Sequence, residues 1–302
     1  MKIIFMGTPD YAEAILKKIL TTDNMDVVAV YTQPDKPVGR KKIMTPPIVK
    51  TLAQNNDINV YQPNRLRDEN VVSELLKIKC DYIIVAAYGQ ILPIEILNHA
   101  PCINLHASIL PSYRGASPIQ QSLLNNEKRT GVTAMLMDEG LDTGNILKIN
   151  EIKIPDDMIV GELFEALTKT ASELTIDILN NFHLYIPIKQ DNTKATHCGK
   201  VTKKDGLVTF DNARIIYNKY RAYTPWPGIY LENGLKLKSI KIEDENSNNK
   251  AGKILKIDNE SIVIGCEYGT IRIFKVQPQS KKEMNIISYI NGKRLVIEDY
   301  LS

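Results

Sequence analysis

Over its first two thirds, the chain alternates short apolar, β-branched runs with segments of helical periodicity. The apolar runs predict strands at 2–6, 26–31, 59–61, 82–87, 103–107, 132–137 and 145–154. The helical spacing predicts helices at 9–20, 48–54, 70–78, 117–125 and 160–179. The run at 82–87 is apolar throughout, as parallel strands covered by helices on both faces require. The pattern therefore predicts a doubly wound α/β domain with a mostly parallel sheet.

A change in composition indicates a second domain. Residues 188–206 are polar and basic with little apolar periodicity, which predicts a linker. Beyond it we predict a helix at 213–222 and short strands at 234–242, 252–257, 261–265 and 270–276. Closely spaced short strands are typical of a small β-barrel. We therefore expect domains at 1–187 and 207–302, joined by a linker at 188–206.

The overall composition is that of a globular protein, since 43% of the 302 residues are hydrophobic and 24% are charged. No stretch approaches the ~18 apolar residues that cross a bilayer. Gly7, Pro9 and Asp10 interrupt the apolar opening too early for a signal peptide. The four cysteines include no C-x-x-C pair, so we expect neither a disulfide framework nor a zinc site. A cytoplasmic protein without a bound metal is expected.

The loop after the first strand carries Gly7 and Thr8 but neither G-x-G-x-x-G nor G-K-[ST]. Those motifs bind the phosphates of dinucleotides and nucleoside triphosphates. Neither a nicotinamide dehydrogenase nor a P-loop enzyme is therefore expected. Gly7 is expected to supply the backbone freedom for a tight strand-to-helix turn, and Pro9 to start the helix.

Candidate catalytic side chains lie in the strand predicted at 103–107. Asn104 and His106 are two positions apart, so both side chains leave one face at the carboxyl end of the sheet, where open α/β folds bind ligands. An amide that donates to a developing oxyanion and an imidazole that handles protons together suit acyl transfer. A lone histidine at a strand end also fits a purely structural role.

A carboxylate in a nearby turn favours the catalytic interpretation. Asp142 lies in a glycine-rich acidic turn at 138–144, so it can lie beside His106 across neighbouring strand ends. A carboxylate there would favour the charged imidazole and fix its tautomer. A turn-forming role for Asp142 between two glycines is the alternative. Since no G-x-S-x-G elbow is present, we expect direct attack by the substrate without a covalent enzyme intermediate.

The segment at 104–115, taken with Asp142, resembles the signature of the folate-dependent formyltransferases. The resemblance spans both predicted domains and includes residues 5–9, 33–42, 87–93, 138–144 and 221–228. It implies a Rossmann-like formyltransferase domain followed by a smaller OB-like β-barrel domain. Two positions depart from the family pattern: Ile109 stands where Leu is commoner, and the basic loop lacks a Gly between Arg40 and Lys41.

The resemblance implies a role for each matching residue. Asn104, His106 and Asp142 match the catalytic residues of the family, with Asn104 donating to the oxyanion and Asp142 keeping His106 charged. The implied co-substrate is 10-formyltetrahydrofolate, with no metal. The residues implied to bind it are Ser108, Ile109, Leu110, Pro111, Ala87, Tyr88, Gly89, Ile91, Leu92, Asp138, Gly140 and Leu141.

The basic loop and the second domain are similar to those of family members that act on tRNA. The implied acceptor is the α-amine of methionine on initiator methionyl-tRNA, formylated for translation initiation, and a monomer is expected. The residues expected to bind tRNA are Lys36, Arg40, Lys41, Lys42, Lys203 and Lys204. Basic residues concentrated in this way on a chain of net charge +3 suit a surface that tracks phosphates. Solvated lysine-rich faces are the alternative interpretation.

Two other functions are compatible with parts of the sequence. The same donor would serve a different acceptor, an amino-sugar nucleotide or glycinamide ribonucleotide, but the basic loop disfavours the first and the second domain the other. A tRNA-binding module with an inactive catalytic domain is the remaining alternative, and the joint presence of Asn104, His106 and Asp142 speaks against it. The turn at 225–228 is expected to pack against the protein rather than to stack a base on Trp226.

Overall fold

The computed structural model describes residues 1–39 and 41–301, which form two compact units. The first unit contains Met1–Pro118, Arg129–Ile154 and Phe164–Cys198. The second contains Ile119–Lys128, Pro155–Leu163 and the chain from Gly199 onward. Residues 188–198, which the sequence pattern places in a linker, thus belong to the first unit. The predicted domain limits stay a prediction.

The chain up to Cys198 forms the helices α1 (Asp10–Leu20), α2 (Ile48–Gln54), α3 (Glu69–Leu76), α4 (Ile94–Leu97), α5 (Pro118–Leu124) and α6 (Val160–Asn181). Its strands are β1 (Lys2–Gly7), β2 (Asp26–Tyr31), β3 (Lys36–Val38), β4 (Ile43–Thr45), β5 (Val60–Tyr61), β6 (Tyr82–Ala86), β7 (Cys102–His106), β8 (Arg114–Gly115), β9 (Arg129–Leu136), β10 (Ile146–Lys153) and β11 (His197–Cys198).

Seven strands of the first unit form one sheet in the order β10-β9-β7-β6-β1-β2-β5. β9 pairs antiparallel with β7 and β10, whereas the other pairs are parallel, so β9 alone runs against the rest. The chain fills one side of β1 with β2 and β5 before it crosses to β6 and β7. This reversal makes a switch point between β1 and β6, and open α/β sheets bind ligands beyond the carboxyl ends of their strands there. The predicted mostly parallel α/β fold is confirmed.

Close packing explains the glycine that ends β1. A Cβ added to Gly7 would lie 2.5 Å from the Cβ of Ala12 and 2.9 Å from the carbonyl oxygen of Ala86. Gly7 is absent from the residues with positive φ, so this position demands space rather than the backbone freedom expected from the sequence. Pro9 directly precedes α1, in agreement with its expected place at the start of the helix.

The second unit is an antiparallel β domain with two helices of its own among the described residues. These elements are α7 (Ala213–Tyr223), β12 (Ile229–Tyr230), β13 (Lys236–Asp244), β14 (Ile254–Ile257), β15 (Ile262–Gly265), β16 (Thr270–Gln277), β17 (Met284–Asn285) and α8 (Ile286–Lys293). The strands pair in the order β12-β13-β16-β15-β14, with β17 on β16. The predicted smaller β domain is confirmed, and its closure into a barrel stays a prediction.

A buried arginine holds three segments of the second unit together. Arg221 in α7 is 1% exposed, and its guanidinium donates to the carbonyl oxygens of Met158 (2.9 Å) and Pro155 (3.1 Å). It also donates to Asn126 Oδ1 at 3.3 Å. These bonds fasten α7 to residues 119–128 and 155–163, which precede it by many residues in the chain.

Three features differ from the sequence-based expectations. The loop around residue 40 contains the hairpin β3–β4, and α8 follows the last strand where only strands were expected. In the turn at 225–228, Pro227 is buried as expected, whereas the side chain of Trp226 is 62% exposed. Within residues 1–39 and 41–301, no helix is long and apolar enough to span a membrane.

Candidate active site

Two side chains of β7 converge on the carboxylate of Asp142. Asn104 and His106 lie on one face of this strand because alternate residues share a face. Asn104 Nδ2 is 3.4 Å from Asp142 Oδ1, and His106 Nδ1 is 3.6 Å from the same oxygen. All three side chains are largely buried. The structure thus brings together the three residues to which the sequence assigns chemistry.

The second ring nitrogen of His106 determines which atom faces the carboxylate. Nε2 lies 2.9 Å from the carbonyl oxygen of Tyr113. Because a carbonyl oxygen only accepts hydrogen bonds, Nε2 carries the hydrogen of the neutral ring, and Nδ1 is left as an acceptor. Nδ1 and Asp142 Oδ1 then face each other at 3.6 Å, beyond the usual range of a hydrogen bond. A proton on Nδ1 would therefore be directed at Asp142.

Asp142 reaches His106 by a different route from the one expected. Leu136 of β9 pairs with Ile103 of β7, so the loop after β9 begins beside the amino end of β7 and must turn back along that strand. Asp142 has a φ of +54°, a left-handed conformation that aspartate tolerates better than most residues. The backbone N–H of Gly115 donates to Asp142 Oδ2 at 2.8 Å and so leaves Oδ1 to face β7.

Two buried polar residues beside Asp142 escape the sequence reasoning. Gln190 Nε2 donates to the backbone oxygen of Asp142 at 2.9 Å, and Arg114 Nη2 donates to Gln190 Oε1 at 2.7 Å. Arg114 lies inside the segment at 104–115 that resembles the formyltransferase signature, so its position in that segment could have identified it as a site residue. Gln190 lies in a polar segment without periodicity, where no sequence signal separates it from surface residues.

The loop after β7 turns two of its expected folate-binding side chains inward. Ser108 Oγ donates to a backbone carbonyl of the same loop at 2.6 Å, and the Leu110 side chain is buried. Thr133 Oγ1 holds both residues, because it donates to the Ser108 carbonyl (2.6 Å) and accepts from the Leu110 N–H (3.1 Å). The side chains of this stretch that remain partly accessible are Ile109 and Pro111.

The loop after β6 divides in the same way. Tyr88 and Leu92 are buried in the hydrophobic core, so their side chains support the loop from within. Ala87 and Gly89 are exposed, and Ile91 is 78% exposed. An isoleucine that projects so far from the protein offers apolar surface to a ligand bound above this end of the sheet.

The acidic turn is shaped by its own polar side chains. Asp138 Oδ1 accepts from the Gly140 N–H (3.1 Å) and from Thr143 Oγ1 (2.6 Å). A Cβ added to Gly140 would lie 2.0 Å from Thr143 Oγ1, so a larger residue there would displace Thr143. Leu141, between this turn residue and Asp142, is 64% exposed. The turn therefore presents an apolar side chain next to a buried carboxylate.

The basic loop forms the antiparallel hairpin β3–β4. Its exposed lysines are Lys36, Lys41 and Lys42. Arg40, the other basic residue expected to bind tRNA from this loop, lies outside the described residues. Apolar side chains on the same hairpin are also exposed, namely Val38, Ile43 and Met44.

The acid next to the hairpin is already engaged. Asp35 accepts from Gln62 (2.7 Å) and Lys50 (2.9 Å), and these hydrogen bonds hold the pKa of its carboxyl below the usual range. The hairpin lysines are therefore not needed to neutralise Asp35. In the second unit, Lys203 and Lys204 are exposed in the 3₁₀ helix Lys203–Gly206.

The adjacent His197 and Cys198 have a structural place in the first unit. They form β11, which pairs with β8. Cys198 Sγ donates to the carbonyl oxygen of Tyr113 at 3.4 Å, and burial raises the pKa of this thiol above its usual value. Among residues 1–39 and 41–301, no cluster of three or more histidine, cysteine, aspartate or glutamate side chains is arranged to hold a metal ion.

Comparison with known proteins identifies relatives along the whole chain. Residues 1–179 match the sequence model of the formyl transferase family, and residues 200–294 match that of the formyl transferase C-terminal domain. The chain is 63% identical over 302 residues to the methionyl-tRNA formyltransferase of Sulfurimonas denitrificans, with 100% of both chains covered. It is 53% identical over 301 residues to the methionyl-tRNA formyltransferase of Nitratiruptor sp., with 99% of both covered.

A solved structure shares the fold. The N-formyltransferase of Helicobacter canadensis, in complex with folinic acid and dTDP-3-aminofucose, superimposes with a TM-score of 0.70. The match covers 92% of this chain and 100% of that chain at 20% sequence identity. At this identity the likeness extends to the fold alone.

Proposed function

The chain belongs to the formyl transferase family, and we propose that it transfers the formyl group of 10-formyltetrahydrofolate to the α-amine of methionine on initiator methionyl-tRNA. The observation that carries this proposal is the 63% identity over 302 residues to a methionyl-tRNA formyltransferase. That similarity includes the antiparallel β domain as well as the candidate active site. A common formyl donor would explain similarity in the candidate active site alone. Similarity that extends through the β domain favours a common acceptor as well.

The surroundings of the candidate active site suit a folate donor. When bound, 10-formyltetrahydrofolate supplies an activated formyl carbon. Ile91 and Leu141 are exposed apolar side chains on two loops beside the site, and Ile109 and Pro111 are partly accessible. Apolar side chains with a few polar groups nearby are typical of pockets for flat ring systems. The folate complex of the Helicobacter canadensis relative supports the same class of donor.

In this proposal, Asn104 is the oxyanion donor. The amine of an esterified methionine is less basic than a free amine, so a neutral fraction attacks the formyl carbon near pH 7. Negative charge then develops on the formyl oxygen, and the Nδ2 group of Asn104 donates a hydrogen bond to it. A preorganised donor of this kind contributes ~10²–10³ in rate. The 3.4 Å contact with Asp142 leaves this group only weakly engaged beforehand.

His106 and Asp142 manage the proton. Tyr113 holds Nε2–H, so the exchangeable proton of the ring is the one on Nδ1, which faces Asp142 Oδ1. The charged ring adds electrostatic stabilisation to the oxyanion. Asp142 Oδ1 accepts the proton that the attacking amine loses. This proton passes to the folate nitrogen as the bond between that nitrogen and the formyl carbon breaks. Gly115 keeps Oδ2 occupied throughout.

We propose that basic residues of each unit bind tRNA. Phosphates near the methionylated end of the tRNA would be neutralised by Lys36, Lys41, Lys42 and Arg40 of the basic loop. Other tRNA phosphates would be contacted by Lys203 and Lys204 of the second unit. The proposed catalytic domain is 1–187 and the proposed tRNA-binding domain is 207–302. Of the proposed linker at 188–206, residues 188–198 belong to the first unit.

An acceptor comparison tests the proposal. Formyl transfer from labelled 10-formyltetrahydrofolate is measured with methionyl-tRNA and, in parallel, with a nucleotide-linked amino sugar. We expect transfer to methionyl-tRNA alone. Transfer to the amino sugar alone would overturn the proposed acceptor but support the proposed donor. No transfer to either acceptor by folded protein would overturn both the donor and the acceptor.

A further inference from the structure

Gln190 joins the turn that carries Asp142 to a buried guanidinium. Its Nε2 donates to the backbone oxygens of Asp142 (2.9 Å) and Gly144 (2.7 Å). Its Oε1 accepts from Arg114 Nη2 (2.7 Å) and Nε (3.2 Å). Because a guanidinium only donates and a carbonyl only accepts, the orientation of the amide is unambiguous. Gln190 is 5% exposed and Arg114 is 4% exposed, so water competes little for these bonds.

The segment that contains Arg114 also holds Asp142 from a second side. Gly115, the next residue, donates its N–H to Asp142 Oδ2 at 2.8 Å. Arg114 Nη2 donates in addition to Asn192 Oδ1 at 2.8 Å, so amide oxygens surround this buried cation. The pairing of β8 with β11 fixes the backbone of Arg114 and Gly115 in turn. One dipeptide therefore supports both the backbone and the side chain of Asp142.

The distances show which contacts hold Asp142 in place. Its contacts with Asn104 (3.4 Å) and His106 (3.6 Å) are longer than a good hydrogen bond, so they contribute little to its position. The bonds from Gln190 and Gly115 are 2.7–2.9 Å long. Asp142 is also in the left-handed region, with φ +54°, a conformation that persists when the surroundings define it well.

We propose that Gln190, oriented by Arg114, is a positioning residue that fixes the backbone of Asp142 and thereby the place of its carboxylate beside Asn104 and His106. The inference rests on the proposed function, because only there is Asp142 a reacting group. Gln190 acts through Asp142, and its side chain is occupied by Arg114 and the two carbonyls.

Gln190→Glu separates positioning from simple attachment. A glutamate keeps the contact with Arg114 as an ion pair, but it loses both donors and places an oxygen against the carbonyls of Asp142 and Gly144. If Gln190 only attached its segment to Arg114, the change would be harmless. Gln54→Glu makes the same chemical change at an exposed position that ends α2, and it is the matched control.

The expected result for Gln190→Glu is a fall in kcat of about tenfold to a hundredfold, because a shift of about 1 Å at a reacting group costs up to ~10². KM for methionyl-tRNA should stay close to that of Gln54→Glu. The melting temperature should fall, because two buried carbonyls lose their donors, but the variant should stay folded at the assay temperature. In an Asp142→Asn background, Gln190→Glu should cause less than about a twofold further loss, since it acts through the removed carboxylate. An unchanged kcat, or the full loss in that background, overturns the inference.

Activity of the parent enzyme, measured first, tests the proposed function separately. The crystal structure of Gln190→Glu then gives a readout independent of turnover: we expect the turn at 140–144 to be displaced, and a turn in its parent position overturns the inference. Should this variant fail to fold, Arg114→Lys replaces it. A lysine cannot hold Gln190 and Asn192 in one planar fork, so a similar fall in kcat is expected, and an unchanged kcat counts against the inference.

Discussion

The substitution Asn104→Ala tests whether Asn104 is the oxyanion donor. Its expected effect on kcat can be compared with its expected effect on folding stability. Loss of one preorganised donor lowers kcat by ~10²–10³, equivalent to about 2.7–4 kcal/mol of transition-state stabilisation. Asn104 lies in β7, two residues before His106, so the amide and the imidazole lie on the same face of the strand. We expect kcat to fall within that range and KM for methionyl-tRNA to change little.

The expected cost in folding stability is smaller. The hydrogen bond from Asn104 Nδ2 to Asp142 Oδ1 is 3.4 Å long, beyond the usual N–H···O range. A well-formed hydrogen bond contributes about 1 kcal/mol net, and a bond of this length contributes less. If the variant instead lost activity by unfolding, the loss of folding stability would exceed the loss of transition-state stabilisation.

Single-turnover formyl transfer measures the chemical step, and urea unfolding measures stability on the same preparations. Asn98→Ala, at the exposed C-cap of α4, is the matched control. Asn104→Asp keeps the size of the side chain but places a second carboxylate beside Asp142, so its loss should be at least as large. Turnover of Asn104→Ala equal to that of Asn98→Ala would refute the oxyanion role.

Three further predictions concern other parts of the molecule. Combining Lys41→Ala with Lys42→Ala should weaken tRNA binding and reduce the slope of log affinity against log salt by about 1–2, because fewer counterions are released; an identical slope would exclude phosphate contacts by these lysines. Arg221→Met leaves the carbonyls of Pro155 and Met158 without their donors and should lower the free energy of unfolding by about 2–5 kcal/mol, as measured in urea. A change below about 1 kcal/mol would show that Arg221 does not hold these segments together. Burial raises the pKa of the Cys102 thiol from 9.0 to about 12. The unfolded thiol thus releases its proton first, and this group lowers the free energy of unfolding as pH rises from about 9 to about 12. Cys102→Ala should flatten that part of the pH profile, and a profile identical to that of the parent would contradict the assignment.

The sheet of the first unit is largely predictable because its strands are apolar enough to reveal their period. β1, β2, β6 and β7 each lie within a residue or two of the predicted run. The direction of β9 is not predictable in the same way, since hydrophobic period is the same for parallel and antiparallel pairs. The hairpin β3–β4 is exposed along both strands, so it carries no apolar alternation to reveal it.

The candidate active site is predictable where local spacing determines it. Asn104 and His106 share a face because they are two residues apart in a strand, and that relation needs no tertiary information. Gln190 comes to Asp142 through tertiary hydrogen bonds across 48 residues of chain, which local pattern does not encode. Ser108 and Leu110 match the folate-binding stretch of the family, yet Thr133 draws their loop inward, and this depends on the pairing of β7 with β9.

Formyl transfer to two charged tRNAs is the decisive test of the proposed function. Labelled 10-formyltetrahydrofolate is mixed with excess protein and methionine-charged initiator tRNA, and with methionine-charged elongator tRNA in parallel, and the product is identified as N-formylmethionine after release from the tRNA. We expect rapid transfer to the initiator and slow transfer to the elongator. No transfer to the initiator by folded protein would overturn the proposed function.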